Sequence, residues 1–239
     1  MVISRVFFDF GGTLVKVPAT INRPWNVWVE AARGFDLNLS ATLVQDALEA
    51  TNEELGNRIY QYVGRTQEFW KVHDAAVTER LRIPHHREEL ARAVEATFAD
   101  PSKLELFPET REVLENLRSR GYHLGLITNY HDGVLKFIQH FQLDQLLETV
   151  TYSQEAGFAK PAPEIFAKAL ERAHCAPSEA LYVGDSIPTD VEGARRSGLH
   201  GAWLNRERHA DSVDCPTIHD LGELPHVLEI LNGAEEPRS

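Results

Sequence analysis

Apolar and polar positions follow two different rhythms along this chain. Residues Ile3 to Phe10 form a β-branched and aromatic run closed at once by Gly11-Gly12-Thr13, which predicts a buried strand ending in a tight turn. From Ile21 to about Asp100 no comparable run follows. Apolar residues there recur at helical spacing, predicting helices over Trp25 to Arg33, Ala41 to Leu55, Gln67 to Leu81 and Arg87 to Phe98. After Pro108 short apolar runs alternate with amphipathic stretches, the pattern of right-handed βαβ units in a parallel sheet. Strands are predicted at Leu124 to Thr128, Thr149 to Tyr152, Ala180 to Val183, Gly201 to Leu204 and Thr217 to His219. Helices are predicted at Glu109 to Arg120, Gly133 to Phe141, Pro163 to His174, Asp190 to Ser197 and Leu221 to Leu231.

The expected architecture is therefore α/β, a Rossmann-like parallel-sheet core over 1–17 and 101–239 with an inserted helical domain over 18–100. Asp100-Pro101-Ser102 reads as the hinge back to the core, and the polar tail from Gly233 to Ser239 is expected to fray.

Charge narrows the partners. The chain has 239 residues and a formal net charge of −12, which disfavours nucleic acid and anionic membrane, since both need a basic footprint. No apolar run approaches the roughly 20 residues of a membrane span, and the N-terminus carries no signal-peptide pattern, so a cytoplasmic location is expected. Cys175 and Cys215 lie far apart without metal-site spacing and read as reduced thiols. If the ligand is a phosphate, positive potential must be made locally by a metal ion, a lysine or helix N-termini.

Ligands of such sheets bind beyond the carboxyl ends of the strands. Asp9, Thr128 and Asp185 each stand just past an apolar run and should converge there. Gly11 and Gly12 let the backbone turn tightly and bring amide groups close to an anion. Thr128 and Asn129 offer a hydroxyl and an amide, though such a pair also serves as a helix cap. Lys160, in Gly157-Phe158-Ala159-Lys160-Pro161-Ala162-Pro163, is either a solvated loop residue or a point cation fixed by the prolines. Asp185 and Asp190 place one carboxylate at a strand end and another at a helix start, which suits Mg²⁺ or, for Asp190, a helix cap.

The order Asp9, Thr128, Lys160, Asp185/Asp190 resembles the four motifs of the haloacid dehalogenase superfamily, and the helical insert resembles that family's C1-type cap. The resemblance implies a hydrolase, most readily a phosphatase acting on a small phosphorylated metabolite. Asp9 would be the nucleophile that forms an aspartyl-phosphate, Lys160 would screen charge, and Gly12, Thr128, Asn129 and Lys160 would bind the phosphate. Mg²⁺ would be held by Asp9, the Gly11 carbonyl, Asp185 and Asp190. Oligomeric state is not legible.

One departure stands out. Phosphatases of the family usually carry a second aspartate two residues after the nucleophile, as general acid and base, and here that position is Gly11. The glycine still offers its backbone carbonyl to a metal, but it cannot transfer a proton. Tyr60, Tyr62, Arg65, Lys71, His73, His131 and Asp132 are the candidates for a substitute, while Trp25, Trp28 and Trp70 are expected to pack the helices. Three other readings remain: a phosphonatase-like C–P hydrolase using Lys71, a 2-haloacid dehalogenase in which Asp9 attacks carbon, and a non-catalytic phosphate-binding or scaffold protein.

Overall fold

The computed structural model describes residues 2–211 and 213–233, so the tail from residue 234 on, expected to fray, lies outside the described residues. The chain begins with β1 (Arg5–Phe8), whose last three residues are buried. It continues through a two-residue strand β2 (Val15–Lys16) and a single turn α1 (Ala19–Asn22) into the helical stretch. There α2 (Pro24–Arg33) starts on a proline whose missing N–H would have had no helical partner anyway. In α3 (Ala41–Leu55) the Ser40 hydroxyl accepts the Leu43 N–H at 3.2 Å. A 3₁₀ turn over Gly56–Gln61 leads to α4 (Thr66–Arg80), and α5 (Arg87–Phe98) follows. Their apolar faces share one cluster that includes Val27, Trp28, Val44, Leu48, Val77 and Leu90, with Trp25 packed against its edge.

A 3₁₀ turn at Pro101–Lys103, with Asp100 accepting the Ser102 N–H, precedes β3 (Glu105–Leu106). Strands β2 and β3 form a small sheet of their own. Neither is expected from the sequence, because two residues carry no periodicity. The chain then enters the alternating region with α6 (Thr110–Ser119), β4 (His123–Thr128), α7 (Val134–His140), β5 (Thr149–Tyr152), α8 (Ser153–Ala156) and α9 (Pro163–Ala173). It ends with β6 (Ala180–Gly184), α10 (Glu192–Arg196), β7 (His200–Leu204), β8 (Thr217–Ile218) and α11 (Leu224–Leu231).

Six strands form one sheet in the order β5-β4-β1-β6-β7-β8, every neighbouring pair parallel. Strand β1 is central, with Phe8 level with Leu126 of β4 and with Val183 of β6. Side chains alternate across the pleat, so Phe7, Ile127 and Tyr182 share one face. They pack there with Ile165, Phe166, Ala169 and Leu170 of α9. Because β4 lies on one side of β1 and β6 on the other, the order of the strands reverses at β1, and ligands bind at such a switch point.

Two of the elements beside the site differ from the sequence-based expectation. The first strand is shorter than Ile3 to Phe10, although the Asp9 N–H still bonds the Val183 carbonyl at 3.0 Å. The helix expected from Asp190 to Ser197 opens instead with a π-helical turn, Ile187–Val191, capped by the Ser186 hydroxyl. The wider turn buries Asp190 rather than leaving it as a cap. By spatial clustering the described chain divides into two compact units. One holds Val17–Glu105 with His131–Gly133, and the other holds the rest.

Phe166 is fully buried between α9 and the sheet. Truncating it, Phe166→Ala, is expected to cost about 3–5 kcal/mol in urea unfolding. The same change at Leu135, 41% exposed, is expected to stay within about 0.5 kcal/mol. Equal costs at the two positions would contradict the packing described.

Candidate active site

Three of the expected residues meet at the carboxyl end of β1. The Lys160 side chain is buried, and its ammonium donates to Asp9 Oδ1 at 2.6 Å, Asp190 Oδ1 at 2.7 Å and the Tyr182 hydroxyl at 2.7 Å. An ammonium has three N–H bonds, so all of them are engaged within the protein. Burial opposes the lysine's charge, but the Asp9 and Asp190 carboxylates outweigh it and hold its pKa above the ordinary value. The solvated-loop reading of Lys160 is thereby excluded.

Tyr182 was not singled out from the sequence. It lies in the apolar run of β6, where a tyrosine reads as core. Its hydroxyl accepts from Lys160, donates to the Ile127 carbonyl at 2.8 Å, and lies 3.2 Å from Asp190 Oδ1. Burial, followed by the negative charges of Asp190 and Asp9, pushes its pKa well above the usual value, so it remains a neutral hydroxyl.

The loop that carries Lys160 is held by Asn129. The Asn129 side chain accepts the Lys160 N–H at 2.6 Å and donates to the Lys160 carbonyl at 3.0 Å. Expected to bind phosphate, it serves as a two-point clamp on that loop, through its carbonyl oxygen and one of its two amide N–H bonds. The backbone N–H of Gly12 is likewise engaged within the protein. It donates to the Val15 carbonyl at 2.8 Å and is not presented to an anion. What position 12 requires is glycine itself: φ is +80°, and a Cβ there would fall 2.2 Å from Asp185 Oδ2. Gly184 has the matching role beside Asp190, where a Cβ would come within 2.4 Å of the carboxyl carbon.

Thr128 ends β4 with its side chain buried. The helix expected from Gly133 begins at Val134, five residues beyond Asn129. Asp185 follows β6, with its carbonyl accepting the Trp203 indole N–H at 3.0 Å and its side chain reaching solvent. Asp190 Oδ2 takes the Ser186 N–H at 3.0 Å while Oδ1 serves Lys160. His73, a candidate proton donor, is buried in the helical unit, its ring nitrogens lying 2.9 Å from Asp74 Oδ1 and 3.1 Å from Asn52 Oδ1. Neither nitrogen is left for a substrate.

The charges do not balance. Asp9, Asp185 and Asp190 bring one carboxylate oxygen each within 4.8 Å of one another, and a single ammonium faces the three. Burial, then the neighbouring negative charges, pushes the Asp185 carboxyl up to about 6. Asp9 is also raised, by burial first, with Lys160 pulling the other way and Asp190 adding to the rise. A hard divalent cation relieves such crowding. The backbone supplies a further oxygen. In the loop after Asp9, the Phe10 carbonyl accepts from Leu14 and Val15, Gly12 and Thr13 from Arg206, Leu14 from Phe107 and Thr110, and Val15 from Gly12. Among the described residues no donor is directed at the Gly11 carbonyl. Carboxylates plus one unused carbonyl form an oxygen-only donor set that fits Mg²⁺.

Residues 6–204 match the family described as haloacid dehalogenase-like hydrolase. Among curated proteins, a glyceraldehyde 3-phosphate phosphatase of Methanothermobacter thermautotrophicus is 31% identical over 95% of this chain and 100% of its own length. An (S)-2-haloacid dehalogenase 4A of Burkholderia cepacia is 26% identical over 94% of this chain and 93% of its own. Among solved structures, a HAD phosphatase from Thermococcus onnurineus superposes with a TM-score of 0.67 at 26% identity, covering 97% of this chain and 99% of the other. No helix among the described residues is long and apolar enough to cross a membrane.

A carboxyl whose pKa is higher in the fold than in the unfolded chain binds more protons when folded, so its ionisation costs stability as the pH rises between the two values. For Asp185 that window runs from 3.8 to about 6. With EDTA present, Asp185→Asn is expected to raise the urea midpoint above about pH 6, and the gain is expected to shrink as the pH falls through that window. A midpoint unchanged by the substitution at neutral pH would show that the carboxylates do not crowd one another.

Proposed function

Since the chain belongs to the haloacid dehalogenase-like hydrolases, we propose that it is a Mg²⁺-dependent phosphatase of a small phosphorylated metabolite, with Asp9 as the nucleophile. The observation that carries this reading is the excess of carboxylate at the end of β1, three against one ammonium. Substitution at carbon does not call for that excess, whereas holding a cation against a phosphate dianion does. The phosphatase names among the relatives favour the same side, and the dehalogenase among them keeps 2-haloacids in the substrate screen.

Asp9 attacks phosphorus in line, and the leaving group departs as an aspartyl-phosphate forms. Water then attacks that phosphorus and frees Asp9. Asp9, Asp185 and the Gly11 carbonyl would hold the ion, with Asp190 beside them, and bound Mg²⁺ supplies charge neutralisation between the carboxylates and the phosphate. Lys160 counters the rise that burial imposes on the Asp9 pKa, because the ammonium contacts Oδ1 directly. Asp190 and Tyr182 take the other two N–H bonds, which fixes the direction of the ammonium. The Thr128 hydroxyl, at the end of the neighbouring strand, is the group assigned to a phosphate oxygen.

Position 11 sets the substrate preference in this reading. A glycine there provides no acid for the leaving oxygen, and general acid help is typically worth about 10²–10⁴-fold, or roughly 3–5 kcal/mol of barrier. Good leaving groups can do without it. Aryl phosphates, acyl phosphates and sugar 1-phosphates should therefore be turned over better than simple alkyl phosphates.

Hydrolysis is expected to be lost with EDTA and restored by Mg²⁺. Asp9→Asn is expected to abolish it, since an amide neither attacks phosphorus nor binds the ion as an anion, and Lys160→Ala to impair it severely. A screen of phosphate esters, acyl phosphates, phosphonoacetaldehyde and 2-haloacids tests these points. Full turnover in Asp9→Asn, with contamination excluded, would remove the nucleophile from the scheme.

The leaving-group argument has its own check. Gly11→Asp is expected to raise alkyl-phosphate turnover more than aryl-phosphate turnover. Wild-type rates that do not vary with leaving-group pKa would mean that another group donates the proton.

A further inference from the structure

Arg206 lies just past β7, two residues beyond the strand's last position, and no motif of the sequence includes it. Its guanidinium sits 3.6 Å above the centre of the Phe107 ring and pairs with Glu109 at 2.7 Å. Nε donates to the Gly12 carbonyl at 3.3 Å and Nη2 to the Thr13 carbonyl at 2.9 Å. All three of its nitrogens are thus engaged, two of them by consecutive carbonyls of the loop that follows Asp9.

The loop bearing Arg206 is itself fixed. The buried Asn205 donates its backbone N–H to the Ile218 carbonyl at 2.8 Å, and its side chain exchanges hydrogen bonds with His209 at 2.8 and 3.0 Å. The ion-pair partner Glu109 is equally placed, directly before α6. The Arg206 fork therefore reaches the nucleophile loop from a rigid support on each side. A planar guanidinium can hold two carbonyl planes at once, which a lysine's point charge cannot.

With the Gly12 and Thr13 carbonyls drawn to Arg206, and those of Phe10, Leu14 and Val15 bonded within the backbone or to Thr110, the Gly11 carbonyl is left over. Planar peptides make this selective, since turning the Gly12 carbonyl toward Arg206 also sets the orientation of the adjoining peptide units. We propose that Arg206 is a positioning residue for the metal site: by clamping the Gly12 and Thr13 carbonyls it leaves the Gly11 carbonyl available as a ligand for Mg²⁺. This rests on the Mg²⁺-dependent reading above and adds to it a residue that touches neither metal nor substrate.

The experiment is Mg²⁺ binding by titration calorimetry without substrate, on wild type, Arg206→Ala and Arg206→Lys, with circular dichroism to confirm folding. Partners behind metal ligands typically contribute about 10–100-fold to affinity. A loss of that size is expected in Arg206→Ala, with partial recovery on adding free guanidinium and no recovery with methylammonium. Arg206→Lys keeps the charge and most of the stem, so it decides the matter if the alanine variant does not fold. It is expected to fold normally and to bind Mg²⁺ at least several-fold more weakly. Wild-type Mg²⁺ affinity in a folded Arg206 variant, with only the unfolding midpoint lowered, would overturn the proposal. A wild-type protein that binds no Mg²⁺ would overturn the metal-dependent reading instead, so the two failures are separable.

Discussion

The ammonium of Lys160 directs three hydrogen bonds inward, to Asp9, Asp190 and Tyr182, and much of the surrounding structure makes that possible. An isolated charge would be far too costly at this depth, so each partner must be present and correctly aimed. Asn129 fixes the backbone of the lysine from both sides, and Gly184 leaves the space that the Asp190 carboxylate occupies. The π-helical turn at Ile187–Val191 lowers Asp190 into the core, and Tyr182 ties the ammonium to the Ile127 carbonyl of β4. Strands β1, β4 and β6 are thereby joined through one nitrogen as well as through their ladders.

The ammonium satisfies Asp9 and Asp190 but not the whole acidic group. Asp185 comes from the same strand-to-helix connection as Asp190, and it is brought so close to Gly12 that no side chain fits there. The protein thus spends stability to hold like charges together. Such local strain is common where a cation or a reacting group is to be received.

Long periodic segments were legible in the sequence. Helices α3 and α5 and strand β5 have the expected ends, because apolar spacing is a local signal, reinforced at α3 by the Ser40 cap. Features that depend on contacts distant in sequence were not. Strands β2 and β3 are two residues each and are defined by pairing with one another. Asp190 reads equally as a metal ligand or a helix cap in the sequence, because nothing nearby announces the π turn that buries it. At the site, the acidic residues and the lysine stood out by chemical type. The duties of Asn129 and Gly12 did not, since each depends on a neighbour many residues away. Tyr182 and Arg206 were passed over for the same reason, one resembling ordinary core and the other an ordinary surface charge.

The central position of β1 also bears on how the chain emerges during synthesis. Phe7 and Phe8 leave the ribosome well before their ladder partners, which start at His123 on one side and Ala180 on the other. At typical elongation rates of about 5–20 residues per second, the roughly 115 residues before β4 take about 6–23 s to appear, and the roughly 170 before β6 about 10–30 s. Through the first interval an apolar strand has both edges without a partner, through the rest of the second it has one, and contacts of such long range form slowly even once the chain is complete. Asp9, which follows β1 directly, is therefore placed by a segment that waits long for its partners in the nascent chain, which makes β1 a place where chaperone binding would matter.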